Sequence, residues 1–234
     1  MDLSTYSAIK TKLYDDLDLY DEDFITENEF LGLLNEAIND CEAVIHNLGL
    51  EARYFKTTDT LTLVSGTSDY SMPSDIYANK MVRVYYINGS KKYRIDRIRE
   101  QDRILDFNTG ENGDYFYDIL NLTAGIKQRL YPTPQESGAY IQRYYIRNVR
   151  ALTTSTAASN TCEIPESINF IYAHVKMKVY QKEGNPMFAE SMEQLKLQHD
   201  LMVQNLQEMV PDENNMIIPD TSFYDDATNV YWRY

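Results

Sequence analysis

The chain changes hydrophobic period twice, and that switch limits what it can fold into. Apolar residues recur at helical spacing toward both ends. In the middle they alternate, and prolines mark where extended segments begin and end. The proline-marked pieces are Tyr70-Ser-Met-Pro-Ser-Asp75, Leu130-Tyr-Pro-Thr-Pro134 leading into Tyr140-Ile-Gln-Arg-Tyr-Tyr145, and Cys162-Glu-Ile-Pro-Glu-Ser167. Helices outside and a sheet inside imply an α+β insertion architecture. The expectation is a four-helix bundle from the N- and C-terminal segments, an inserted antiparallel β-rich domain and an extended C-terminal arm. The expected divisions are residues 1–50, 51–163, 164–210 and 211–234.

Residues 4–18 read as a first helix, with Tyr6, Ile9, Leu13 and Leu17 along one face. The second opens at Thr26-Glu-Asn-Glu29, a hydroxyl followed three residues later by a carboxylate, which is a capping box. Its apolar face is Phe30, Leu34, Ala37, Ile38, Cys41, Ile45 and Leu48, and Gly49 ends it. A third helix follows Ile164-Pro165, with Ile168, Ile171, Tyr172, Val175 and Val179 on one side. Asn185 and Pro186 suit the start of a fourth, whose seam is Phe188, Met192, Leu195, His199, Met202, Leu206 and Met209. Alternate spacing by four and three fits antiparallel helices packed side by side, and Pro211 stops the pattern.

Between these, period-two segments occupy Thr60–Val64, Met81–Ile87, Lys92–Ile98, Tyr115–Leu120, Ile126–Tyr131 and Tyr140–Ile146. Asn88-Gly89 is a strong hairpin signal. Short connections favour an antiparallel meander. A short helix is expected within 99–107, and the Ser/Thr/Ala-rich stretch 151–161 reads as a loop.

Charge is distributed unevenly. The net charge is −14, but residues 1–50 carry −10, 51–182 carry +4 and 183–234 carry −8. Acidic ends disfavour a grip on nucleic acid and fit either solvated helix faces or a surface that DNA must slide past. No apolar run approaches the ~20 residues needed to span a bilayer, so no membrane role is expected. The N-terminus lacks the basic and apolar regions of a signal peptide. Cys41 and Cys162 stand 121 residues apart beside apolar neighbours, which points to buried free thiols in a protein assembled in a reducing cytoplasm.

Catalytic signals are missing. His46, His174 and His199 lie outside metal spacing of each other and of the cysteines, and no nucleophile elbow, zinc-protease or phosphate-loop motif occurs. No catalytic residue, metal site or cofactor is therefore expected. Two other groups carry the functional expectations. Lys91, Lys92, Arg94, Arg97, Arg99 and Arg103 interleave with Asp96, Glu100 and Asp102, as a salt-bridged surface would, or as a subunit interface against acidic helices of a neighbouring copy. Beyond Pro211 helical period is lost, yet Ile217, Ile218, Phe223, Tyr224, Tyr231, Trp232 and Tyr234 follow. So apolar a segment either folds back on its own core or is a docking arm that orders on a partner. Fourteen of the 20 tyrosines fall in 51–182, where a tyrosine-rich sheet could alternatively serve carbohydrate or receptor binding.

In this order the segments resemble the head-to-tail adaptor proteins of tailed bacteriophages, in particular the connector or tail-tubular ring proteins of short-tailed and crAss-like phages. The resemblance rests on the two N-terminal helices, the Tyr70–Asp75 entry and the Val82–Ile87 hairpin. It also rests on the strand end at 130–134, the strand at 140–145, Ile164-Pro-Glu-Ser-Ile168 and the closing helix pair. It implies a non-enzymatic virion protein of the neck, assembled in the host cytoplasm. About a dozen copies would ring the tail side of a portal protein and contact further tail proteins. Genomic DNA would pass through an acidic bore without specific binding. The aromatic segment 211–234 would dock on the portal.

Overall fold

The computed structural model describes residues 4–20, 24–98, 115–135 and 137–210. They divide into two compact units: one from residues up to Leu50 and from Ala151 onward, the other from Glu51 to Arg150.

In the first unit, α1 (Tyr6–Leu17) starts where the Thr5 hydroxyl accepts from the Ala8 amide, and α2 (Glu27–Asn47) carries the full reciprocal capping box of Thr26 and Glu29. A single turn of 3-10 helix (Pro165–Ser167) leads into α4 (Ile168–Glu183), which Gly184 ends in the left-handed region, and α5 (Phe188–Gln207) follows. Asn185 accepts from the Met187 amide, so it initiates a turn two residues ahead of the helix proper. The anticipated faces of α1 and α2 are buried, from Tyr6, Ile9 and Leu13 to Phe30, Leu34, Ala37, Ile38, Cys41 and Ile45.

The four-helix bundle does not form. Around α4, α1, α2 and α5 are arranged as spokes, each packing chiefly on that helix rather than closing a ring of four mutual neighbours. Sequence alone hides this, because α4 buries Phe170, Ile171, Tyr172, His174, Val175 and Val179, a stripe wider than one helix face. Its lysines point back into the acidic helices: Lys176 meets Asp16 at 2.7 Å, Lys178 meets Glu36 at 2.8 Å and Lys182 meets Glu29 at 2.9 Å. By contrast α5 buries only Ser191, Met202 and Leu206, so the upper part of its expected seam stays partly open.

The second unit holds a one-turn helix, α3 (Glu51–Tyr54), and seven strands: β1 (Lys56–Thr62), β2 (Asp69–Ser71), β3 (Ile76–Asn88), β4 (Lys91–Arg97), β5 (Phe116–Leu122), β6 (Gly125–Tyr131) and β7 (Tyr140–Arg147). Their spatial order is β1-β7-β3-β4-β5-β6-β2. The protein is therefore mixed α/β with one curled, half-barrel sheet and five helices among the described residues, not a helical bundle with an antiparallel insertion. Nor is the sheet a meander. Strand β7 inserts between β1 and β3, β2 crosses to the far edge, and β4 pairs with β5 in parallel. A parallel pair needs a long connection, and the 18 residues between Arg97 and Phe116 supply one. The short helix expected within 99–107 lies outside the described residues.

Hairpins form at β3–β4 and β5–β6, as local pairing predicts. In the first, Asn88 pairs with Lys91, so the turn residues are Gly89 and Ser90, with Gly89 at the positive φ that primed turns require. Strand β3 is longer than its alternation shows because Ala78 and Asn79 adopt positive φ where pairing with β7 slips.

The curl encloses Leu63, Tyr70, Val84, Tyr86, Ile95, Tyr117, Leu130 and Ile141. A charged group sits among them. Arg143 on β7, 3% exposed, ion-pairs with Asp59 of β1 and donates to the Ser71 carbonyl of β2 at 2.8 Å and to Gln128 of β6 at 3.5 Å. One guanidinium thus joins strands from both ends of the sheet order. Removing a buried ion's partner costs more than the pair contributes. We predict that Arg143→Ala lowers unfolding stability by about 3 kcal/mol in urea titration; a loss below about 1 kcal/mol would mean that apolar packing alone sustains the curl.

The cap of α2 gives a pH signature. Donation from the Thr26 amide, then from Lys182, holds the Glu29 carboxyl at about 2 against an unfolded value of 4.5. A depressed carboxylate stabilises fully above its unfolded pKa and loses that contribution as pH falls from about 4.5 toward 2. Glu29→Gln should therefore unfold at lower urea than wild type near neutrality, the gap closing as acid is added across that window. A gap independent of pH would contradict the assignment.

Candidate functional site

Among the described residues no group of three or more potential metal ligands occurs, and no helix is long and apolar enough to cross a membrane. His174 is buried between α4 and α2, with Glu36 and Asp40 at 3.9 and 3.8 Å. Burial lowers its pKa despite those carboxylates, leaving it neutral in the fold. His199 lines an open groove with Phe170, Leu195, Lys196 and Asp200, and its ring meets Phe170 edge-on at 5.8 Å. Among the described residues, Asp200 is the one carboxylate that lines it.

Both cysteines are free and buried, as their neighbours imply. Burial pushes the Cys41 thiol up to about 12, and the Cys162 thiol also upward. Cys162 additionally lies 3.8 Å from the Ser167 hydroxyl. Native protein should leave both thiols unmodified by a thiol reagent at pH 8 and release two equivalents only in denaturant. Rapid labelling of the folded chain would show an opening that this core does not provide.

What the second unit does offer is a surface. On β7, β3 and β4 the register places Arg83 opposite Tyr144, and Tyr85 opposite both Gln142 and Arg94. These side chains share the outer face, because Val84, Ile95, Ile141 and Arg143 occupy the alternate, inward positions. Lys92 Nζ lies 4.2 Å above the Tyr85 ring and 5.6 Å from that of Tyr144, and donates to Gln142 Oε1 at 2.9 Å. The two tyrosine rings meet edge-to-face, 5.8 Å apart at 78°. Lys56 of β1 reaches Tyr144 at 5.8 Å. Arg94 pairs with Asp96 at 2.9 Å, whereas Lys56, Arg83 and Lys92 meet no carboxylate among the described residues. The result is an aromatic centre with a basic rim.

The basic residues anticipated as one cluster are thus sorted by strand geometry. Lys92 and Arg94 lie on the outer face. Lys91 and Arg97 occupy alternate positions on β4, and Arg97 reaches buried Asp118 at 3.4 Å. Arg99 and Arg103 lie outside the described residues, as do Ile217, Ile218, Phe223, Tyr224, Tyr231, Trp232 and Tyr234. Lys56, Arg83, Tyr85 and Tyr144 went unnoticed in sequence; only the pairing register, β7 beside both β1 and β3, brings them together. A glycan platform is disfavoured, since Tyr70, Tyr86, Tyr115, Tyr117 and Tyr145 are buried and the outer pair is not coplanar.

The first unit offers a contrasting surface. Leu197 and Leu201 on α5 are 57% and 43% exposed, one turn apart and off the seam. Helical spacing puts Glu190, Glu193 and Glu208 on the same side. Two apolar residues outside a heptad seam were the available signal for this patch.

No curated protein sequence matches the chain. A family model described as SU10 adaptor protein matches residues 4–215, spanning both compact units, and the chain belongs to that family.

Proposed function

We propose that this protein joins capsid to tail in a phage virion as the repeating subunit of a ring beneath the portal. Its family makes it a phage adaptor and a structural component of the virion, which works by contact with other head or tail proteins. The finer reading is a homo-oligomeric neck ring of about a dozen copies, assembled in the host cytoplasm, through which the genome passes. The observation that carries it is the family match across both units, and the division of charge supports it. Residues 51–150 hold 15 bases and 12 acids, whereas the rest of the chain holds 7 bases and 24 acids. The net −17 outside residues 51–150 repels phosphate, which suits a wall that DNA slides past rather than grips.

Segment 211–234 serves as the arm that docks on the portal: it combines the chain's one tryptophan with Ile217, Ile218, Phe223, Tyr224, Tyr231 and Tyr234. Cryo-EM of the full chain mixed with the portal of the same genome should show a ring on the tail-side end. Deleting 211–234 should leave the circular dichroism and melting of the fold unchanged while weakening portal binding by at least about a hundredfold, the scale of a lost aromatic anchor cluster. Undiminished binding by the truncated chain would remove the arm from the mechanism, and a portal that recruits no full-length chain would remove the adaptor station itself.

A further inference from the structure

We infer that copies of this chain associate head to tail, the outer sheet face of one receiving the outer face of α5 from the next. The inference rests on the ring reading and names the surfaces that would close it. Two observations from different units carry it. The sheet face has Tyr85 and Tyr144 at its centre and, at its rim, Lys56, Arg83 and Lys92, cations without carboxylate partners among the described residues. The helix face has Leu197 and Leu201 at its centre and acids at its rim. Of those acids, Glu190 accepts from Gln194, and among the described residues none of the three has a cation partner. Elsewhere in the helical unit, Asp16, Glu27, Glu29 and Glu36 are answered by lysines of the same chain. Apolar centre meets aromatic centre, and acidic rim meets basic rim.

The occupant follows from that complementarity. Residues 51–150 carry +3 by sequence and the rest of the chain −17, so a second copy always offers charge of the opposite sign. The two faces differ, which makes the contact heterologous. Such contacts generate rings when the rotation closes, whereas an isologous contact would stop at a dimer. DNA, the other polyanion available to a basic tyrosine-bearing face, lacks the leucine pair's counterpart and would bind with a steep salt dependence.

The test uses full-length protein and sedimentation across concentration. Wild type should self-associate, with association weakened at least about tenfold in Arg83→Glu/Lys92→Glu and in Leu197→Glu/Leu201→Glu. Glu190→Lys/Glu193→Lys should fail equally, and combining it with Arg83→Glu/Lys92→Glu in one chain should restore association by exchanging the charges. Circular dichroism and melting of each variant separate a lost contact from a lost fold. Association that survives all three double variants would overturn these surfaces while leaving a ring built from others. Loss of DNA binding in Arg83→Glu/Lys92→Glu with association unchanged would assign the face to phosphate and overturn the inference. A wild-type chain that stays monomeric at every concentration would overturn the interface and count against the ring itself.

Discussion

The enclosure of α4 is the constraint on which the helical unit depends. A helix buried over more than half its circumference cannot be a surface element, so its neighbours are positioned by what they must cover. Phe170 and His174 turn toward α5 and α2, Tyr172 lies beneath Lys12 of α1, and Ser167 at the entrance stands beside the Cys162 thiol. The lysines of the same helix then settle charge. Without Lys176, Lys178 and Lys182, Asp16 of α1 and Glu36 and Glu29 of α2 would lose the counter-ions that α4 supplies. One segment therefore supplies both the apolar contacts and the cations that let acidic helices converge.

The sheet solves a different problem. A curled half-barrel leaves its first and last strands to be restrained by side chains, and Arg143 does this with polar contacts inside an apolar enclosure. Desolvating a guanidinium is costly, so its value is geometric: five donors in a fixed fork define how far the ends approach. On the opposite side of the same strand, Gln142 and Tyr144 organise the Lys92 ammonium. Alternation along β7 thus devotes one face to shape and the other to contact.

Much of this was legible in the residues, though unevenly. The faces of α1 and α2, the box at Thr26 and Glu29, the glycine stops at Gly49 and Gly184 and the two hairpins follow from local rules, because each depends on atoms within a few residues. What failed was long-range. The position of β7 between β1 and β3, the parallel β4–β5 pair and the hub role of α4 depend on which distant segments meet, and periodicity reports burial without naming the partner. The loop at 151–161 is a further case. Its composition reads as featureless, yet Asn35 brackets Leu152 through both amide groups, and Asn160 ties Thr153 and Ser155. Of the candidate surfaces, the basic residues of β4 were visible as a run. Their division between faces and their tyrosine neighbours on β3 and β7 needed the register.

The placement of the two thiols bears on durability. Cys41 and Cys162 are both buried in the core, with the Ser167 hydroxyl beside the Cys162 thiol. A move from reducing to oxidising surroundings can forge or break covalent links between exposed thiols. With its sulfur shut inside, each copy carries nothing for that change to act on. The fold therefore keeps the same covalent structure in reducing and oxidising surroundings, held together by non-covalent contacts alone.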